Sequence, residues 1–187
     1  MKRLAIIWVL FTVFETSGFA QLTSPPLDKS PLDISYFPVN YPSLKTRDKI
    51  SENPIARVIY SRPFKNDRVI FGNLIEYGKV WRMGANECTE IEFFQDVKIN
   101  NSKIPKGRYS LYAIPDTANW TIILNQDTDL WGAFKYDQKK DVIRVTVPVE
   151  KADSPTENLA IFFQKSDQGC ALNILWDNVS VSLPISL

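Results

Sequence analysis

Residues 78–93 read GKVWRMGANECTEIEF, and this stretch brings together an indole, a guanidinium, a carboxamide and a carboxylate at Trp81, Arg82, Asn86 and Glu87. Such a set suits recognition of a polar ligand. Arg82 donates to anionic or carbonyl oxygens, Glu87 accepts from hydroxyl or amine protons, and Asn86 does both. If residues 87–93 form one strand, alternation sends Glu87, Thr89, Ile91 and Phe93 inward and Cys88, Glu90 and Glu92 outward. An inward carboxylate is costly without a partner, and Arg82, across the turn 83–86, is the nearest cation in sequence. The same residues therefore support two readings. In one, Arg82 and Glu87 form a structural brace under Trp81; in the other, they line the floor of a binding pocket.

Other residues extend the candidate set. Arg62 follows the apolar run ARVIYS and precedes Pro63, where it either donates to a ligand anion or stands as a solvated loop cation. Trp131, in the segment WGAFKYD, offers an aromatic surface on which a sugar ring can pack, or else fills core or rim. The ligand-binding candidates are thus Arg62, Trp81, Arg82, Asn86, Glu87 and Trp131. The sequence has no histidine, which removes the usual general base, triad partner and transition-metal ligand together. Chemistry without histidine remains open to a pair of carboxylates, as in sugar hydrolysis, with Glu87 and either Glu90 or Asp141 as nominees. Asp127 and Asp129 supply too few oxygens for calcium, so no metal and no cofactor is expected. Cys88 and Cys170 fall on opposite parities of their strands, which opposes a disulfide unless a bulge intervenes.

The elements that must position these residues are short and extended. Lys2 and Arg3 precede an apolar run over residues 4–14, and Gly18 and Ala20 follow at the spacing a signal peptidase prefers. We therefore expect a signal peptide at 1–20 and a periplasmic or secreted product with no transmembrane segment in the mature chain. Removing Lys2, Arg3 and Glu15 from 22 basic and 21 acidic residues leaves 20 of each, which offers nucleic acid no electrostatic footprint. Residues 21–53 are rich in Pro and read as an extended arm, with DISYFPV its one strand-like segment. From residue 54 the period is two almost throughout, and turn clusters such as NNSK, IPKG and PDTAN separate the runs. LNILW and VSVSLPI, parted by Asp177 and Asn178, read as a hairpin, and residues 129–137 read as a structured loop. About eight to ten short strands without helical alternation predict an all-β fold, an antiparallel two-sheet β-sandwich over 54–187.

The runs YSRP, IFGNLIEYGKVWRMGANECTEIEF, IPKGRYSLYAIP, WTIILN, WGAFKYD, DVIRVTVPVEK and LNILWDNVSVSLPI occur in order with compatible gaps. Together they resemble an exported family of Bacteroidota, the domain of unknown function 2911, over residues 54–187. The resemblance implies an exported β-sandwich, and it makes Arg62, Trp81, Arg82, Gly84, Asn86 and Glu87 part of the family's signature without assigning an activity. It implies no shared disulfide, because the chain departs from the pattern at Cys88 and Cys170. The expectation is a non-catalytic module that binds a polar small molecule, a glycan or an envelope protein. A carboxylate-dependent hydrolase and a purely structural envelope module are the alternatives.

Overall fold

A computed structural model describes residues 22–187; the expected signal peptide at 1–20 lies outside the described residues. The strands are β1 (Leu32–Phe37), β2 (Ala56–Ser61), β3 (Glu90–Phe93), β4 (Val97–Ile99), β5 (Ser102–Ile104), β6 (Gly107–Ile114), β7 (Asn119–Asn125), β8 (Asp141–Ser166) and β9 (Gly169–Ser186). The only α-helix among the described residues, α1 (Tyr41–Thr46), is six residues long. The fold is all-β. Its nine strands hydrogen-bond in the order β1-β2-β3-β6-β7-β8-β9-β4-β5, every pair antiparallel, so the ladder forms one large sheet.

Alternation builds these strands. In β2, Ala56, Val58 and Tyr60 are buried while Arg57 and Ile59 between them are partly exposed. The turn joining β4 to β5 carries Asn100 and Asn101 at φ 48° and 61°, the left-handed pair that a two-residue hairpin needs and that Asn tolerates. The strand-like stretch inside the Pro-rich arm becomes β1, paired with β2 from Leu32 opposite Ser61 to Phe37 opposite Ala56.

The expected hairpin at Asp177 and Asn178 is not there. β9 runs unbroken through both residues, and its hairpin with β8 turns instead where Ser166 faces Gly169. Asp177 has φ 54° and lies opposite Thr156, where the β8–β9 register shifts on both sides. It therefore marks a bulge, whose extra residue bends both strands without ending them. β8 pairs with β7 over residues 141–148 and with β9 from Val149 onward.

One apolar core gathers buried side chains from all nine strands. At its centre Phe71 meets Trp81, Trp120 and Trp176 at centroid distances of 6.0, 5.0 and 6.3 Å, and Trp81 stacks on Trp176 at 6.1 Å. A smaller cluster of Cys88, Tyr112 and Ile123 lies on the opposite face of β6 and β7, covered by Leu130, Ala133 and Tyr136. The segment 129–137 is thus an ordered cover over the second face of the sheet.

Candidate functional site

Trp81 enters the site region through a two-way backbone bridge to Ala113, with N–O distances of 2.7 and 2.9 Å. The chain then turns through Met83 and Asn86, whose φ angles are 57° and 59°. Thr89 fastens this turn. Its amide donates to the Arg82 carbonyl at 3.1 Å, and its buried hydroxyl donates to the Met83 carbonyl at 2.7 Å. Gly84 accepts a bond from Trp81 Nε1 at 3.3 Å, and a Cβ there would come within 3.3 Å of the Ser61 carbonyl and the Thr89 hydroxyl. Thr89 was predictable as an inward residue from parity, but its role in holding the turn was not.

Glu87 does not turn inward to Arg82. It is exposed, and no ion pair joins the two among the described residues. The reason is local: β3 begins at Glu90, so residues 87 and 88 are not in its row. Glu87 instead bridges Trp131, and the Cys88 amide donates to the Leu130 carbonyl at 2.8 Å. Cys88 and Thr89 are then both buried, on opposite sides of the backbone. The Cys88 thiol lies in the smaller cluster and Cys170 in the main core, and both are free. Burial pushes them up to about 11 and about 12, which leaves both protonated and poor nucleophiles at neutral pH.

A cleft of about 380 Å³ opens between the end of β2 and the bridge joining Glu87 to Trp131. Leu32 and Ile59 supply apolar wall, while Ser61, Glu87, Glu90 and Asp129 supply oxygens. Trp131 stands at this cleft 62% exposed. Arg108 neutralises two of the acids, with its guanidinium 3.3 Å from Glu90 and 2.5 Å from Asp129, and the Asp129 amide donates to Glu90 Oε1 at 2.7 Å. Glu87 has no such cation. Ser61 is 1% exposed, and its hydroxyl finds no protein partner. Gly132 shapes the cover loop here: its φ is 69°, and a Cβ would lie 2.8 Å from the Phe134 ring.

The remaining candidates lie elsewhere. Arg62 pairs with Asp33 at 2.9 Å and donates to the Leu159 carbonyl at 3.1 Å. Trp81 is sealed in the aromatic core at 4% exposure. Asn86 donates to Asp28 at 2.9 Å and accepts from the Gly132 amide at 2.9 Å, so it joins the arm to the cover loop. Arg82 faces a different opening, of about 340 Å³, lined by Lys29, Phe64, Arg68 and Trp176 among others. Asp141 is engaged by Tyr136, Arg144 and Asn125 at 2.7, 2.7 and 2.8 Å and does not line the cleft. Asp127, half of the acidic pair weighed for calcium, binds Lys140 at 2.7 Å. The structure thus brings Glu87 and Trp131 together and sets Arg82 apart from them.

Residues 42–185 match the family described as a protein of unknown function (DUF2911), and the chain belongs to that family. No curated protein and no solved structure matches it. Among the described residues, no helix is long and apolar enough to cross a membrane.

Proposed function

We propose that this chain is a non-catalytic binding module of the cell exterior or periplasm, and that the cleft beside Trp131 takes a glycan. The observation that carries this reading is an exposed indole at the mouth of a cleft that also holds an ion-unpaired carboxylate, Glu87, and an unpartnered buried hydroxyl, Ser61. A sugar offers a flat C–H face to the indole and hydroxyl donors to the carboxylate, and its oxygens accept from Ser61. The volume of about 380 Å³ lies within the usual range for small-ligand sites. Export is supported by the Lys2-Arg3 start, the apolar run over 4–14 and the small residues Gly18 and Ala20. We also read the nine-stranded ladder as folded over at the β8 bend into two facing layers, because one core cluster draws on strands from both ends of the order.

The test is calorimetric titration of the whole chain with a panel of neutral oligosaccharides, with Trp131→Ala and Glu87→Gln in parallel. Saturable binding that both variants weaken, while their melting temperatures stay near wild type, supports the glycan site. Absence of saturable heat across the panel overturns it.

One observation favours a second reading: Glu87 and Glu90 share the cleft, as a carboxylate hydrolase requires. That reading predicts slow release of nitrophenol from nitrophenyl glycosides, abolished by Glu87→Gln. Glu90 is already engaged by Arg108 and by the Asp129 amide, which leaves it less free to act on a bound sugar.

A further inference from the structure

The described residues contain seven arginines, of which Arg57, Arg62, Arg108 and Arg144 each pair with a carboxylate. Arg47, Arg68 and Arg82 do not, and the last two line the same cavity of about 340 Å³, joined by Lys29 from the arm. No carboxylate lines that cavity. Two acids on neighbouring segments are engaged by other donors: Asp28 accepts from Asn86 Nδ2 at 2.9 Å and from the Ser30 amide at 2.6 Å, and Glu157 accepts from the Asn66 amide at 2.8 Å. Glu76 lines a separate opening on the other side of Arg82 and forms no ion pair with it. Arg82 Nε is fully shielded and finds no acceptor in the protein. A half-buried guanidinium with neither counter-ion nor acceptor is an unfavourable arrangement that an anion would complete.

The segments that carry the cations are also held in place. Arg68 donates from Nε to the Lys65 carbonyl at 2.8 Å and from Nη2 to the Phe64 carbonyl, which fixes its guanidinium at the cavity wall. Its loop is tied to β8 through the Lys65 amide, 2.7 Å from the Glu157 carbonyl. Arg82 sits at the start of the turn fastened by Thr89. Beside them the wall is apolar, formed by Phe64, Leu74, Ile75 and Trp176. Two cations next to apolar surface, one of them held by backbone carbonyls, match a ligand with an anionic head and an uncharged body.

We propose that this cavity binds a small organic phosphate or sulfate ester, with its oxyanion between Arg82 and Arg68 and its carbon body against Phe64 and Trp176. The site is separate from the Trp131 cleft and stands or falls without it. Burial lowers the Arg82 pKa, consistent with a cation stripped of water before any ligand arrives, and arginine still stays charged at neutral pH.

The test is calorimetry on the whole chain at constant ionic strength, with inorganic phosphate, inorganic sulfate and phenyl phosphate as probes. We expect phenyl phosphate to bind saturably and more tightly than either inorganic ion, because the apolar wall contributes only to the ester. Removing one guanidinium contact with Arg82→Gln or Arg68→Gln should weaken phenyl phosphate by about tenfold or more, and Trp131→Ala should leave it unchanged. Arg68 is exposed, so Arg68→Gln keeps the fold even if Arg82→Gln does not. Lack of saturable binding by wild type overturns the proposal, as does undiminished binding by folded Arg68→Gln protein. Equal affinity for phenyl phosphate and the inorganic ions overturns the assigned ester.

Discussion

Arg62 Nη1 lies 2.9 Å from Asp33 Oδ2 while its Nε lies 3.1 Å from the Leu159 carbonyl, so one guanidinium joins β1 to β8 from the end of β2. The pair itself is more than a third exposed on both sides, and water screens it. Losing the charge pair through Asp33→Ala should therefore cost about 0.2–1 kcal/mol. Arg62→Ala also strips the donor from the Leu159 carbonyl and should cost more, about 1–3 kcal/mol. Urea denaturation of the two variants checks the order; equal costs would mean that the bond to Leu159 contributes nothing.

Trp81 and Glu87 are close in sequence and opposite in environment, and their variants should separate sharply. Glu87→Gln should leave stability within about 0.5 kcal/mol of wild type, since the carboxylate is exposed and without a cation. Trp81→Ala removes a ring packed against Phe71, Trp120 and Trp176 and should cost about 3–5 kcal/mol. Thermal melts of both give the comparison. A large loss in Glu87→Gln would restore the brace.

Stability should fall on the alkaline side from about pH 9. Burial raises the folded-state pKa values of Cys88 and Cys170 from 9.0 to about 11 and about 12. Below pH 9 both thiols are neutral in either state. Between pH 9 and those raised values the unfolded chain releases protons that the folded chain retains, so stability drops as pH rises. Tyr136, raised from 10.0 to about 12 chiefly by burial, adds to the fall above pH 10. The urea midpoint should be lower at about pH 10.5 than at about pH 8, and Cys170→Ala should flatten the difference. A disulfide reagent such as DTNB, applied near pH 8, should label both thiols only after unfolding.

Gly169→Ala should be among the most damaging changes at the β8–β9 hairpin. Gly169 has φ 149°, and a Cβ there would lie 2.5 Å from the Ile185 carbonyl, a backbone atom that cannot swing aside. The chain ends must part to admit the methyl, at a cost of about 2 kcal/mol or more. A loss below about 0.5 kcal/mol by urea titration would contradict this geometry.

The strands were legible because their period is local. The runs in β2 and the first half of β8 alternate, β7 is a short apolar run bounded by turn residues, and the Asn pair after β4 names its own turn. Asp177 misled because a left-handed residue serves a bulge as well as a hairpin, and only the register opposite, at Thr156, distinguishes them. The site was half legible. Parity correctly set Cys88 against Thr89, but the left-handed Asn86 ended the row before Glu87. What brought Glu87 to Trp131 and Arg82 to Arg68 is pairing between distant segments, which no local window contains.

The position of β1 limits how another chain can meet this one. β1 packs near β8, where the Phe163 amide donates to the Ser35 hydroxyl at 3.2 Å, so that border is partly covered. At the opposite border β5 is three residues long and carries Lys103 bound to Asp96 at 2.8 Å. A short, charged strand at β5 and a partly covered β1 make both ends of the strand order poor templates for strand addition. A protein that added a strand at either end would have to displace these side-chain contacts first.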